Sequence, residues 1–228
     1  MTQTNGHVVT QLTATKGLRP HELPRDAAVA AAGPAGRIAA DGHRTVDLHA
    51  AELAAAAFLQ ALGIDLGSEE LRDTPARMTR AYAELFRAPA PQLTTFPNDE
   101  GYDELVLVRE IPFRTVCEHH LLPFSGVAHV AYLPGERLLG LSKLARLVEF
   151  HAARPQTQER LTSQLADSLA TQLRARWSGV VLEAEHTCMT LRGVRAQGAT
   201  TVTTALAGPL RTDPQRRAEF LALTGAPG

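Results

Sequence analysis

A chain of 228 residues has room for one large domain, or for one domain with an appendage. Its 44% hydrophobic and 21% charged content excludes a chain disordered throughout. Lysine and arginine number 23 against 24 aspartate and glutamate, a formal charge of −1. A general nucleic-acid-binding surface is therefore not expected, and any anion site must be local. No apolar run approaches the ~20 residues of a membrane span and no basic-then-apolar leader opens the chain, so the cytoplasm is the expected compartment.

Residues 1–45 include an Ala-, Gly- and Pro-rich stretch at 27–40 and few large apolar groups. Such a segment cannot bury enough surface to offset its ordering entropy, and a mobile tail is expected ahead of a folded domain over 46–228. Val46, Leu48, Leu53, Ala57, Leu59 and Leu62 recur at helical spacing, with Gly63 as the stop. A second helix is expected after Ser68, whose side chain can cap the amides ahead of Leu71. Thr74-Pro75 then opens another, with Met78, Tyr82, Leu85 and Phe86 on one face. On residue type alone, Arg77 and Arg80 belong to a solvated helix face.

Residues 92–102 form a loop marked by Pro91, Pro97 and Gly101. From Glu104 the pattern alternates through Leu105, Leu107, Val108, Ile111, Phe113 and Val116, which predicts a strand. A second strand at 127–133 ends at the turn signal Pro134-Gly135. Ser142 opens a helix carrying Leu144, Leu147, Val148 and Phe150, which Pro155 interrupts. A longer helix at 156–177 follows, with Leu161, Leu165, Leu169 and Leu173. A β-branched strand at 180–191 and its hairpin partner at 200–206 come next, then a short helix capped by Asp213-Pro214 with Phe220 and Leu221 on its apolar side. Four strands in hairpin order with two intervening helices predict an α+β domain with an antiparallel sheet, not a doubly wound parallel fold.

The densest cluster of chemistry-bearing residues is Cys117-Glu118-His119-His120, placed at a strand end. Cys117 and His120 have the short spacing with which two donors reach one zinc ion. Alone this is a weak signal. The chain's only other cysteine, Cys188, also has a histidine nearby, in Glu185-His186-Thr187-Cys188 on a strand expected to neighbour the first. Three ligands from Cys117, His120 and Cys188 leave a fourth position open for water, as catalytic zinc sites do. His186 and Cys188, two apart on a strand, are expected to share a face, whereas His119 and His120 point opposite ways. His119 and His186 are open to two roles, proton transfer beside the metal or packing. His129 and His151 have no such context and are expected to be structural.

A third constellation is cationic. Ser142-Lys143, with Arg146 one turn on, stands at a helix N-terminus, which favours a bound anion. Arg192-Gly193-Val194-Arg195 follows the second cysteine cluster. Together they suggest a local phosphate cradle. Gln158-Glu159 offers a carboxylate able to accept from the N–H donors of a guanine edge, or simply decorates a helix surface.

These motifs together resemble the GTP cyclohydrolase I family. The matching stretches are CEHH at 117–120, GLSKLAR at 140–146, RPQTQERLT at 154–162 and EHTCMTLRGVR at 185–195, with weaker similarity at DTPARM (73–78) and in the DPQRRAEFL end. The similarity spans about residues 46–222. It implies a T-fold, with N-terminal helices ahead of a four-stranded antiparallel sheet and two packed helices, and assembly into a barrel-like homodecamer of two pentamers with pockets between subunits. It implies zinc on Cys117, His120 and Cys188, His119 and His186 as an acid–base pair around the imidazole ring of GTP, and Gln158 and Glu159 at the guanine edge. It also implies Ser142 near the ribose, and Lys143, Arg146 and Arg192 on the triphosphate, joined by Arg77 and Arg80 from a neighbouring subunit. The implied activity is hydrolysis and rearrangement of GTP to 7,8-dihydroneopterin triphosphate with release of formate. Three departures from the family pattern stand out: Arg80 where Lys is frequent, His151 where a bulky hydrophobe is usual, and Ala153 where a polar or basic residue is common. Arg80 keeps the charge of its implied contact with an altered geometry, and neither of the other two touches the expected zinc.

Overall fold

The computed structural model describes residues 46–225, so the tail expected at 1–45 lies outside the described residues. The described residues divide into two compact units, on either side of the Thr79–Arg80 boundary.

In the first unit, helix α1 (Leu48–Ala61) begins where the Asp47 side chain accepts from the Ala50 amide at 2.9 Å, and Gly63 leaves it at φ +80°. Of its residues Ala55 and Leu59, one turn apart, are buried, whereas Leu53 and Leu62 are exposed. The helix expected after Ser68 does not form. Residues 69–73 make turns, with Arg72 N–H donating to Ser68 O, because five residues before the next helix start are too few to repay helix nucleation. Helix α2 (Thr74–Leu85) starts at Thr74-Pro75 as expected and runs from the first unit into the second.

The second unit holds the sheet. Strands β2 (Val106–Cys117), β3 (Pro123–Leu133), β6 (Trp177–His186) and β7 (Thr201–Ala207) pair antiparallel in the order β2-β3-β6-β7. The expected α+β class and antiparallel sheet are observed. The expected four strands become five, because β5 (Pro155–Gln156) adds in parallel to the outer edge of β2 at Val116–Cys117. A separate two-stranded sheet pairs β1 (Thr95–Pro97), inside the expected loop, with β4 (Arg137–Leu139). Both short strands fall below the length at which residue periodicity is visible. Helix α3 (Leu141–Ala152) starts at its N-cap Gly140, not at Ser142. Helix α4 (Gln158–Gln172), capped by Thr157, stops five residues before the expected end. Arg174 there takes φ +52°, and Trp177 already belongs to β6.

Helices α3 and α4 cover one face of the sheet. Leu144, Leu147, Leu161, Leu165 and Leu169 pack with Phe113, Phe124, Val130, Tyr132 and Leu182, all nearly inaccessible. Each such side chain contributes roughly 1.5–3 kcal/mol by burial. On the opposite face Ala131, Leu133, Trp177 and Val181 meet Phe220 of α6 (Pro214–Thr224), capped by Asp213 as expected. Gly179 makes room for that ring, since a Cβ there would lie 2.9 Å from Phe220. The register sets the site. Val116 stands opposite Pro123 and Phe124 opposite His186, so the end of β2, the start of β3 and the end of β6 meet at one edge of the sheet.

Candidate metal and proton-transfer site

Cys117 is the last residue of β2 and is buried. The chain then turns sharply. Leu121 N–H donates to Cys117 O and Cys117 N–H to Leu122 O, both at 2.8 Å, and Leu121 takes φ +52°, unusual for a leucine. This turn returns His120 to the strand end, with Nδ1 3.9 Å from Cys117 Sγ. Cys188 arrives from the other side, in the single-turn helix α5 (Thr187–Thr190) that follows β6. The Thr187 hydroxyl donates to Pro123 O and fixes α5 to the start of β3. The ligand atoms of Cys117, His120 and Cys188 all lie within 4.8 Å of one another.

The expected triplet is therefore brought together, but by a different route. The two cysteine strands are not adjacent, since β3 separates β2 from β6. Cys188 sits on a helical turn, so it does not share a strand face with His186, and His119 and His120 lie in a turn where strand alternation does not apply. A donor set of two cysteines and one histidine is the chemistry zinc prefers. Burial raises the Cys188 thiol pKa, and the neighbouring Cys117 raises it further. Two thiols this close ionise together only when a cation compensates them, so the site suits a bound metal.

His186 is gripped on two sides. Its ring stacks on Phe124 at 4.2 Å and 11°, and its Nε2 lies 2.8 Å from Gln158 Oε1. The Gln158 Nε2 donates to Leu182 O at 3.1 Å and Thr201 O at 2.8 Å, which fixes the orientation of the amide. Oxygen must then face His186, so His186 carries its proton on Nε2 and, when neutral, leaves Nδ1 as the basic nitrogen. Burial lowers the His186 pKa, and the charge of Glu159 partly opposes this. Gln158 is fully buried, with both ends of its amide used inside the protein, whereas Glu159 beside it is exposed. His119 is exposed, with Nδ1 3.9 Å from Cys117 Sγ and Nε2 3.9 Å from a Glu118 carboxylate oxygen. The Arg160 hydrogen bond holds the Glu118 carboxyl below its ordinary range.

Of the cationic residues, Lys143 and Arg146 stand in the first turns of α3 beside exposed Ser142, and Arg192 and Arg195 are exposed after α5. None of these four cations makes an ion pair among the described residues, nor does exposed Arg80. Arg77 is engaged locally, donating to Glu70 O at 2.7 Å and to the Thr74 hydroxyl at 3.2 Å. His129 is buried and His151 bonds Ser168 at 2.8 Å, each with an enclosed Nδ1 that has no hydrogen-bond partner among the described residues. Phe124, Gln156 and Arg160 were not singled out by residue type. The last two sit inside the RPQTQERLT stretch, which was the available signal.

Comparison with known proteins shows the family to which this chain belongs. The sequence model of the GTP cyclohydrolase I family matches residues 51–225. The chain is 53% identical over 186 residues to GTP cyclohydrolase 1 of Mycobacterium ulcerans, covering 79% of this chain and 92% of that protein. It is 51% identical over 191 residues to GTP cyclohydrolase 1 of Mycobacteroides abscessus, covering 80% and 94%. A solved chain, the archaeosine synthase QueF-Like in the apo form, aligns with a TM-score of 0.39 and 17% identity over 46% of this chain and 93% of the other. Among the described residues no helix is long and apolar enough to cross a membrane. With its family model matched across nearly all of the described chain, the protein belongs to the GTP cyclohydrolase I family.

Proposed function

We propose that the chain opens the imidazole ring of GTP hydrolytically, releases C8 as formate, and rearranges the remainder to 7,8-dihydroneopterin triphosphate. The observation that carries this is the convergence of Cys117, His120 and Cys188 within 4.8 Å beside a histidine whose tautomer is fixed. In this proposal the three residues hold zinc. When bound, zinc supplies Lewis acidity that activates water near neutral pH.

The chain's own residues supply the rest. His186, held at Nε2 by Gln158 and flat against Phe124, offers Nδ1 for proton transfer as the ring opens, and exposed His119 is its partner. Exposed Glu159, in the first turn of α4, accepts from the guanine ring N–H and exocyclic amine. Gln158, expected beside it at the guanine edge, is assigned to holding His186, since its amide is already fully used. Ser142 serves the ribose. Lys143, Arg146 and Arg192, which make no ion pair among the described residues, receive the triphosphate at the start of α3, where the helix dipole adds to their charge.

Arg77 and Arg80 are assigned to the triphosphate of a neighbouring subunit, within a T-fold homodecamer of two pentamers. The cytoplasm suits a site that depends on two reduced thiols. The test is incubation with GTP, measuring formate, pterin fluorescence and metal content together. Formate and pterin in equal amounts with about one zinc per chain support the proposal. Formate without pterin assigns a shortened reaction. Bound zinc with no turnover assigns a structural metal.

A further inference from the structure

The turn that carries His119 and His120 is short, exposed and bent through a left-handed leucine, yet two of the proposed site's groups depend on its position. Its only charged side chain besides the histidines, Glu118, reaches α4. The Arg160 guanidinium donates to a Glu118 carboxylate oxygen, to Pro155 O at 3.2 Å and, through Nε, to Gln156 Oε1 at 2.8 Å. Gln156 is fully buried, and its Nε2 donates to His151 O at 2.8 Å and to Gln164 Oε1 at 2.9 Å. The backbone repeats the connection, with Glu118 N–H donating to Gln156 O at 3.0 Å.

We propose that Arg160, anchored by Gln156, is a positioning residue that holds the Cys117–His120 turn through Glu118 and so fixes His120 for the metal and His119 for proton transfer. The fork geometry matters more than the charge. One planar guanidinium ties a carboxylate and a backbone carbonyl through one nitrogen and a buried amide through another, a spread of donors that an ammonium, with its three donors on a single nitrogen, does not reproduce. Among the described residues the Arg160 guanidinium bonds Gln156, Pro155 and Glu118, not the side chains of Cys117, His120 or Cys188, and it acts through Glu118 as outer groups do when they tune a metal site. The metal and proton-transfer roles rest on the proposed function, whereas the restraint on the turn does not.

The experiment uses the full chain and the variants Arg160→Gln, Arg160→Lys, Glu118→Gln and the double Arg160→Gln/Glu118→Gln. Amide hydrogen exchange of residues 117–122 is measured beside zinc affinity by chelator competition. The expected result is exchange at Glu118 and Leu121 faster by about 10-fold in each single variant, with the remainder of α4 unchanged, and zinc binding weaker by about 10-fold. Arg160→Lys behaves like Arg160→Gln, and the double variant is no worse than Arg160→Gln alone, because loss of Arg160 already breaks its link to Glu118. Wild-type exchange in Arg160→Gln and in the gentler Glu118→Gln overturns the proposal, as does full rescue by lysine. Should the wild-type chain bind no zinc, the proposed function falls, and the exchange data alone decide on the brace.

Discussion

His151 is a buried titratable group placed where the helices α3 and α4 meet, and its consequence for stability can be worked through. Its Nε2 is 2.8 Å from Ser168 Oγ, and its Nδ1 is enclosed with no hydrogen-bond partner among the described residues. Burial, aided by the charge of Arg154, lowers its pKa from the ordinary 6.5 to about 4. Arg154 is kept close because its guanidinium lies 5.0 Å over the Phe150 ring and donates to Phe150 O. Between pH 6.5 and 4 the unfolded chain binds a proton that the folded chain refuses. Stability from this group is therefore fully present above pH 6.5 and is lost as pH falls towards 4. Taken at full strength the loss is about 2.5 kcal/mol at pH 4.5, and partial exposure of the ring reduces it to about 1 kcal/mol. His151→Leu removes the titration and a hydrogen bond to Ser168, costing about 1 kcal/mol near pH 7.5. That penalty should vanish by pH 4.5. Urea unfolding followed by the fluorescence of buried Trp177, the single tryptophan, reads both values. Equal losses for wild type and variant between pH 7.5 and 4.5 would refute the argument.

Cys188→Ala should lose zinc and GTP turnover together, because two remaining ligands hold zinc poorly; full zinc occupancy in the variant would remove Cys188 from the metal site. His186→Ala should keep its zinc while turnover drops about 10²-fold or more, and normal turnover would end its assignment as a proton-transfer group. Glu159→Gln should damage GTP turnover severely with zinc content and oligomer size unchanged, since unpaired guanine donors cost several-fold more than a lost surface charge. Wild-type kinetics with undiminished preference for GTP over ATP would return Glu159 to the helix surface.

Much of the fold was legible because its long elements carry long patterns. The leucines of α4 and the β-branched run of β6 repeat often enough to declare their period. The two-residue β5 and the three-residue β1 and β4 do not, and their existence depends on partners far along the chain. The three metal-ligand candidates were legible from residue type, but the expected strand geometry was not correct. A one-turn helix and a left-handed leucine place Cys188 and His120, and neither leaves a mark in hydrophobic spacing. Phe124 was invisible as a site residue for a related reason. It sits on the core face of β3, and only the register opposite His186 gives it a second surface to serve.

One neighbouring pair shows how this site divides labour between adjacent residues. Gln158 and Glu159, similar side chains side by side in sequence, end in different surroundings. A helix N-terminus rotates successive side chains by about 100° per residue, so one member can face inward while the next faces out. Gln158 enters the protein and spends its amide on Leu182, Thr201 and His186, while Glu159 remains exposed and forms no ion pair among the described residues. The inward member cannot titrate, so it can sit buried at no ionisation cost, and the outward member can keep the charge that the proposed guanine contact needs. Exchanging the two, Gln158→Glu with Glu159→Gln, would bury a carboxylate against two carbonyl oxygens and remove the exposed one. The exchange should therefore cost both stability and guanine selectivity, although composition and net charge are unchanged. Order along the chain, more than the presence of the residue types, is what the site requires.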